Sequence, residues 1–311
     1  MALRMPRIPE QILDCVFYPY AEEESARKGT EFGGTGFLVG IPSRHAGLFF
    51  SYAVTNHHVA CSGGSSVIRI NTVNGEPDIF AFEPHDWHFD PRFDIAVRGI
   101  GLSENSHKYA LIGPDSFTSQ EQVHEKKIGV GDDVFMVGRF VDHDGGPINK
   151  PAARFGHISV MPSPIKQPNG QTADSYCIDL HSRSGYSGSP VFVYRTPGYD
   201  LEERLPKDLK DAKLLIAGTN YLGLLGIHFA QFPEQWQIGI SPTALKPEAS
   251  DVPLVIEGGY VKGLSGMTCV LPAWTIMEVL NSPRLVESRN QIDDEEDIRL
   301  QKEGKLHSLQ G

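Results

Sequence analysis

Short apolar runs of period two, each closed by Gly, Pro, Asn or Asp, dominate this 311-residue chain and leave little room for helices. Side chains along a strand face opposite sides in turn, so such runs bury one face and expose the other. Residues 12–18, 33–40, 49–55, 67–71, 78–83 and 95–100 read as strands in the first third. Residues 131–138, 154–160, 176–181, 191–194, 214–217, 223–230 and 266–271 read as strands in the remainder. The fold class is therefore all-β. Residues 112–127 are polar and read as the joint between two β units, and residues 196–213 form a charged insertion with room for a short surface helix. Pro272 opens a helix that runs to Leu280 and stops at Asn281-Ser282-Pro283, with Trp274, Met277 and Leu280 on its buried face. Residues 283–311 are acidic and poorly periodic and are expected to be a mobile tail.

Charge and cysteine usage narrow the function classes. The net charge of −11, with Asp293 to Asp297 all acidic, argues against a nucleic-acid surface, which draws on clustered Lys and Arg. No apolar run approaches the length of a membrane-spanning helix, so no membrane partner is expected. The first residues carry arginines but no following apolar block, so a cytoplasmic location is expected. Cys15, Cys61, Cys177 and Cys269 are widely spaced without a CxxC, and four free thiols are expected. Three stretches imitate ligand sites. Gly33-Gly34-Thr35-Gly36 lacks the Lys-Ser/Thr of a phosphate loop. His85-Asp86-Trp87-His88 reads as a solvated loop, and Asp142 to Gly146 as a hairpin tip that does not complete a calcium loop. No metal or other cofactor is expected.

The chemistry sits in three other stretches. Gly185-Tyr186-Ser187-Gly188-Ser189-Pro190 holds a serine between glycines, where a tight turn can expose the hydroxyl and align backbone N–H groups. Upstream lie Val54-Thr55-Asn56-His57-His58-Val59 and Phe93-Asp94-Ile95-Ala96-Val97, giving the order His, Asp, Ser. A serine hydroxyl is a poor nucleophile near neutral pH and needs a base that is itself oriented by a third group. An α/β-hydrolase would place serine first, at a strand-to-helix turn, and here serine is last and followed by strand.

On these motifs the chain resembles the chymotrypsin-fold, trypsin-like serine proteases. It is similar in style to the bacterial trypsin-like and high-temperature-requirement proteases, with their T-N-x-H-V, D-[IL]-A-V and G-N-S-G-G-P patterns, over roughly residues 33–280. The resemblance implies two six-stranded antiparallel β-barrels and a C-terminal helix in a peptidase domain spanning 10–282. Barrel one would cover about 10–115, barrel two about 125–272 and the closing helix 272–281, with no PDZ-like domain. It implies Ser187 as nucleophile, His58 as general base and Asp94 as its orienting partner, with the N–H groups of Gly185 and Ser187 as oxyanion hole. The substrate would be a protein or peptide, and any regulatory partner stays open. Of the adjacent histidines, His58 fits the motif; on a strand, His57 would face the other way. Asp94 rather than Asp90 opens the Asp-Ile-Ala-Val match.

Two departures stand out. Tyr186 replaces the aspartate that pairs with a freshly cut N-terminus in trypsin-type zymogens, so no activation by N-terminal cleavage is expected. Ser189 gives G-x-S-G-S-P-V-F, similar to the glutamyl endopeptidases, and Leu225-Gly226-Ile227-His228 extends that likeness. It implies that His228 contacts a Glu or Gln side chain before the scissile bond, with His181, where trypsins place the pocket-floor residue, and Ser182 as further substrate-binding residues; the alternative is that His228 is a strand residue with a satisfied hydrogen bond. The competing function is a binding module of protease fold without catalysis.

Overall fold

The structure is a computed structural model and describes residues 8–143, 145–180, 184–195, 221–237 and 260–302. The chain opens with a short helix α1 (Glu10–Leu13), then β1 (Val16–Tyr20), α2 (Glu23–Lys28), β2 (Gly36–Pro42) and β3 (Phe49–Thr55). A turn of helix α3 (His57–Ala60) follows, then β4 (Val67–Asn71), β5 (Pro77–Phe80), β6 (His88–Phe89) and β7 (Ala96–Gly99). These seven strands form one antiparallel sheet in the order β5-β4-β1-β2-β3-β7-β6. Helix α4 (Gln120–Glu125) lies in the joint between the two β units. The second unit contains β8 (Asp133–Gly138), β9 (Ala152–Lys166), β10 (Thr172–Asp179), β11 (Pro190–Arg195), β12 (Tyr221–Gln237) and β13 (Tyr260–Pro272). They close into a barrel in the order β10-β13-β12-β11-β8-β9.

The all-β expectation holds, and the second unit is the closed six-stranded barrel that the resemblance implied. The first differs: it has seven strands, and no ladder joins β5 to β6. β6 is only two residues long, and the segment before it turns at Pro84–Asp86, where proline has no N–H to give a ladder. Expected strand residues 12–15 instead end α1 and turn into β1. Residues 196–220 lie outside the described residues, and with them the charged insertion and the strand expected at 214–217.

Register positions the site. β3 pairs with β7 from Tyr52↔Gly99 to Thr55↔Ala96, so the residues just after β3 lie beside those just before β7. Those residues are Asn56 to His58 and Phe93 to Ile95. One apolar core runs through both units, with Tyr18, Phe37 and Val54 from the first and Phe135, Phe192 and Ile227 from the second. Helix α5 (Ala273–Leu280) adds Ile276, Val279 and Leu280 to that core. All four cysteines are unpaired, and Cys177 stands opposite Cys269 across β10 and β13. No helix among the described residues is long and apolar enough to cross a membrane.

The segment after α5 corrects the expectation of a mobile tail from residue 283. Residues Pro283–Lys302 form a helix, α6, docked on the β2–β3 hairpin. Arg289 is buried and donates from Nη1 to Tyr52 Oη (3.2 Å) and to Leu280 O (2.8 Å). The buried Asp293 carboxylate accepts from Ser43 Oγ at 2.5 Å, and its carbonyl faces His45 Nε2 at 3.1 Å. Arg44 pairs with Asp294 at 2.7 Å and also with Asp297. The acidic run is thus matched by a basic hairpin tip some 250 residues away, which local periodicity does not reveal.

Exposed pairs such as Arg44–Asp294 contribute little, whereas the buried Asp293 bonds are charge-assisted. Asp293→Ala is therefore expected to cost about 2 kcal/mol of docking. Amide hydrogen exchange should show protection falling across residues 283–302 while the strands of the closed barrel keep theirs.

Candidate active site

Asn56 caps α3 in extended conformation, and its carbonyl accepts the Val59 and Ala60 N–H groups at 3.1 Å. The adjacent histidines therefore stand on a helical turn, not a strand. They diverge by the turn of the helix rather than by strand alternation. His57 lies against Phe89, ring centroids 4.4 Å apart. His58 turns to Asp94. Its backbone N–H donates to Asp94 Oδ1 at 2.8 Å, and its Nδ1 meets Oδ2 at 2.5 Å. An ionised carboxylate only accepts, so the proton sits on Nδ1 and the Nε2 lone pair faces away from Asp94. Asp94 is fully buried, and the His58 side chain is 28% exposed. Asp90 takes no part: it forms an ion pair with the exposed Arg92 at 2.8 Å.

Asp94 is also held through its main chain. Its carbonyl accepts from Asn56 Nδ2 at 2.9 Å, and its N–H donates to Gln167 Oε1 at 2.7 Å.

The serine turn comes from the second unit and is seated against the first. Gly185 (φ 97°) and Gly188 (φ 87°) occupy the left-handed region, and a Cβ on Gly188 would lie 2.1 Å from Thr35 O. Thr35, fully buried at the entry to β2, holds the turn at several points. Its N–H donates to Ser187 O (2.7 Å) and its hydroxyl to Gly185 O (2.6 Å), while that hydroxyl accepts from Arg139 N (2.9 Å). Gly34, one residue earlier, lies between Val59 of α3 and Ser187 O, which brings the histidine helix and the serine turn together. The N–H groups of Gly185 and Ser187 have no hydrogen-bond partner among the described residues.

β12 braces the turn from behind. His228 N–H donates to Ser189 O and its carbonyl accepts from Gly188 N, both at 2.9 Å. Its Nδ1 reaches Tyr186 O at 3.0 Å. A carbonyl can only accept, so Nδ1 carries the proton and Nε2 the lone pair. The ring is 1% exposed, and burial pushes its pKa down to about 4, against a partial lift from the Tyr186 carbonyl. Tyr186 is itself fully buried, its ring under the Arg154 guanidinium at 5.1 Å. His228 thus supports the serine turn directly, a role the motif likeness did not indicate. His181 and Ser182 lie outside the described residues. Among the described residues no three His, Cys, Asp or Glu gather as metal ligands.

Thr35, Gln167 and Asn56 were not singled out by sequence. Thr35 carried one usable signal, a residue between glycines at a strand entry; Gln167 carried none, since it meets Asp94 from 73 residues away.

With the histidine and aspartate supplied by one antiparallel β unit and the serine turn by a closed six-stranded barrel, the architecture is settled. The fold is of the chymotrypsin type. No protein-family model matches the sequence, and no curated protein does. Solved structures that this chain matches include Deg5, at 18% identity over 71% of this chain and 81% of that one (TM-score 0.41). The MamO protease domain from Magnetospirillum magneticum is similar at 14% identity over 88% and 98% (TM-score 0.47). The active form of the Rv3671c protease from M. tuberculosis is similar at 17% over 90% and 91% (TM-score 0.40).

The depressed His228 pKa ties stability to pH. The unfolded imidazole takes a proton below about 6.5 and the folded one only below about 4, so the unfolded state binds more protons between them. Stability from this residue is complete above pH 6.5 and is lost as pH falls toward 4, by about 3 kcal/mol in all. Urea unfolding at a series of pH values should show that slope in the wild type and a flatter one in His228→Gln.

Proposed function

We propose that this chain is a serine endopeptidase working through His58, Asp94 and Ser187. The observation that carries the reading is the two-point contact of buried Asp94 with His58, on a helix whose Val59 faces Ser187 O across Gly34. In this reading His58 Nε2 takes the Ser187 proton as the hydroxyl attacks a peptide carbonyl, then returns it to the leaving amine. Asp94 holds the imidazole tautomer and stabilises the imidazolium. The N–H groups of Gly185 and Ser187 receive the oxyanion, each such donor being worth about 3 kcal/mol to the transition state. Water then hydrolyses the acyl-enzyme by the same proton path in reverse.

The turn already has its supports in Thr35 and His228, which favours activity without N-terminal cleavage and agrees with Tyr186 in the zymogen aspartate position. For the residue before the scissile bond, the proposed choice is Glu or Gln, read by His228 with His181 and Ser182. The His228 tautomer refines this toward Gln. A lone pair on Nε2 accepts from an amide NH2 and repels a carboxylate, and a ring that protonates only near pH 4 offers no compensating charge.

Labelling by a fluorophosphonate probe tests the chemistry. Wild type should label, and folded Ser187→Ala and His58→Ala should not. A folded but unreactive wild type would favour the binding module instead. Cleavage of a peptide library should then rank Gln above Glu, and equal or reversed ranking would remove His228 from the specificity role.

A further inference from the structure

Asp94 sits on the short segment between β6 and β7, where Pro91 and Arg92 are exposed and Phe93 and Ile95 are buried in the core. Arg92 is largely exposed and pairs outward with Asp90 and Glu278. Arg92 and Phe93 line an open cavity of about 310 Å³ whose far wall includes Asp174, Trp274 and Glu278. Gln167 adds a main-chain tether to Asp94 from the other β unit. It stands just after β9, is 3% exposed, and uses both ends of its amide. Oε1 accepts from Asp94 N at 2.7 Å, and Nε2 donates to Arg92 O at 2.9 Å. Its backbone closes the turn into β10, donating to Gln171 O (2.8 Å) and accepting from Gly170 N (3.0 Å). The amide cannot swing away without leaving buried polar groups unpaired.

We propose that Gln167 is a positioning residue for the His58–Asp94 pair, an amide of the closed barrel that sets the carboxylate of the other sheet. The proposal rests on the reading of His58 and Asp94 as acting in catalysis. Its logic is geometric. One carboxylate oxygen meets the His58 main chain and the other its ring, so a rotation of the Asp94 backbone disturbs both contacts. Among the described residues the titratable neighbours of the pair include His57, Cys61 and His228, with Arg92, Asp174 and Glu278 lining the cavity and Asp90 paired to Arg92. Cys61 is pushed up to about 11 by burial and by Asp94, and His228 down to about 4, so neither changes charge near neutrality.

The test compares the full-length chain with Gln167→Met, which removes both hydrogen bonds, and Gln167→Glu, which keeps an acceptor for Asp94 N but adds charge. Gln167→Met should slow fluorophosphonate labelling and lower kcat about tenfold, with KM on a cleaved peptide unchanged. Gln167→Glu, which loses the donor to Arg92 O, should lower the plateau rate less than Gln167→Met and raise the apparent pKa of the labelling profile by about one unit, since the added charge favours the imidazolium. Proton NMR of the His58 Nδ1 hydrogen gives a readout independent of turnover, and its resonance should shift in Gln167→Met. Wild-type rate profiles and an unmoved resonance in both variants would overturn the proposal. If the wild type itself fails to label, the protease reading is lost and the resonance decides alone: moved supports positioning, unmoved refutes it. If Gln167→Met does not fold, the pKa of Gln167→Glu decides, and an unshifted profile refutes.

Discussion

A carboxylate sealed from water is costly unless its charge is matched and its lone pairs are used, and Asp94 meets that constraint through one residue. His58 gives it a backbone N–H and a ring N–H, while Asn56 and Gln167 take up the carbonyl and N–H of Asp94 itself. Much of the surrounding structure follows from keeping those four contacts in place. The β3–β7 register brings the two segments side by side, and α3 rather than a strand turns His58 inward.

The two β units exchange supports across their joint. The first unit supplies Thr35, whose backbone and hydroxyl hold the serine turn of the second. The second supplies Gln167, whose amide holds the aspartate segment of the first. Because each unit holds a segment of the other, a small shift between them would disturb both halves at once. The shared apolar core, α5 and the docked helix α6 all resist such a shift.

Much of this was legible in the linear chain. Period-two runs announced an all-β fold, Pro272 announced a helix start, and the motifs supplied His58 and Asp94, which the structure brings into contact. His57 and His58 diverge on a helical turn, not by strand alternation. The acidic run at Asp293 to Asp297 looked like a solvated tail because its partners, Ser43, Arg44 and His45, are remote in sequence. His228 also bonds to the backbone of the serine turn, contacts that the motif likeness did not indicate.

The sequence by itself determined which residue types could do the chemistry and that strands would carry them, because nucleophile motifs, glycine turns and side-chain alternation are local properties. Only the tertiary structure decided how the pieces are held. Thr35 reaches Gly185 across 150 residues, and Gln167 reaches Asp94 across 73. Such bonds depend on how two sheets pack, and no local pattern encodes a hydrogen bond whose partner is set by that packing.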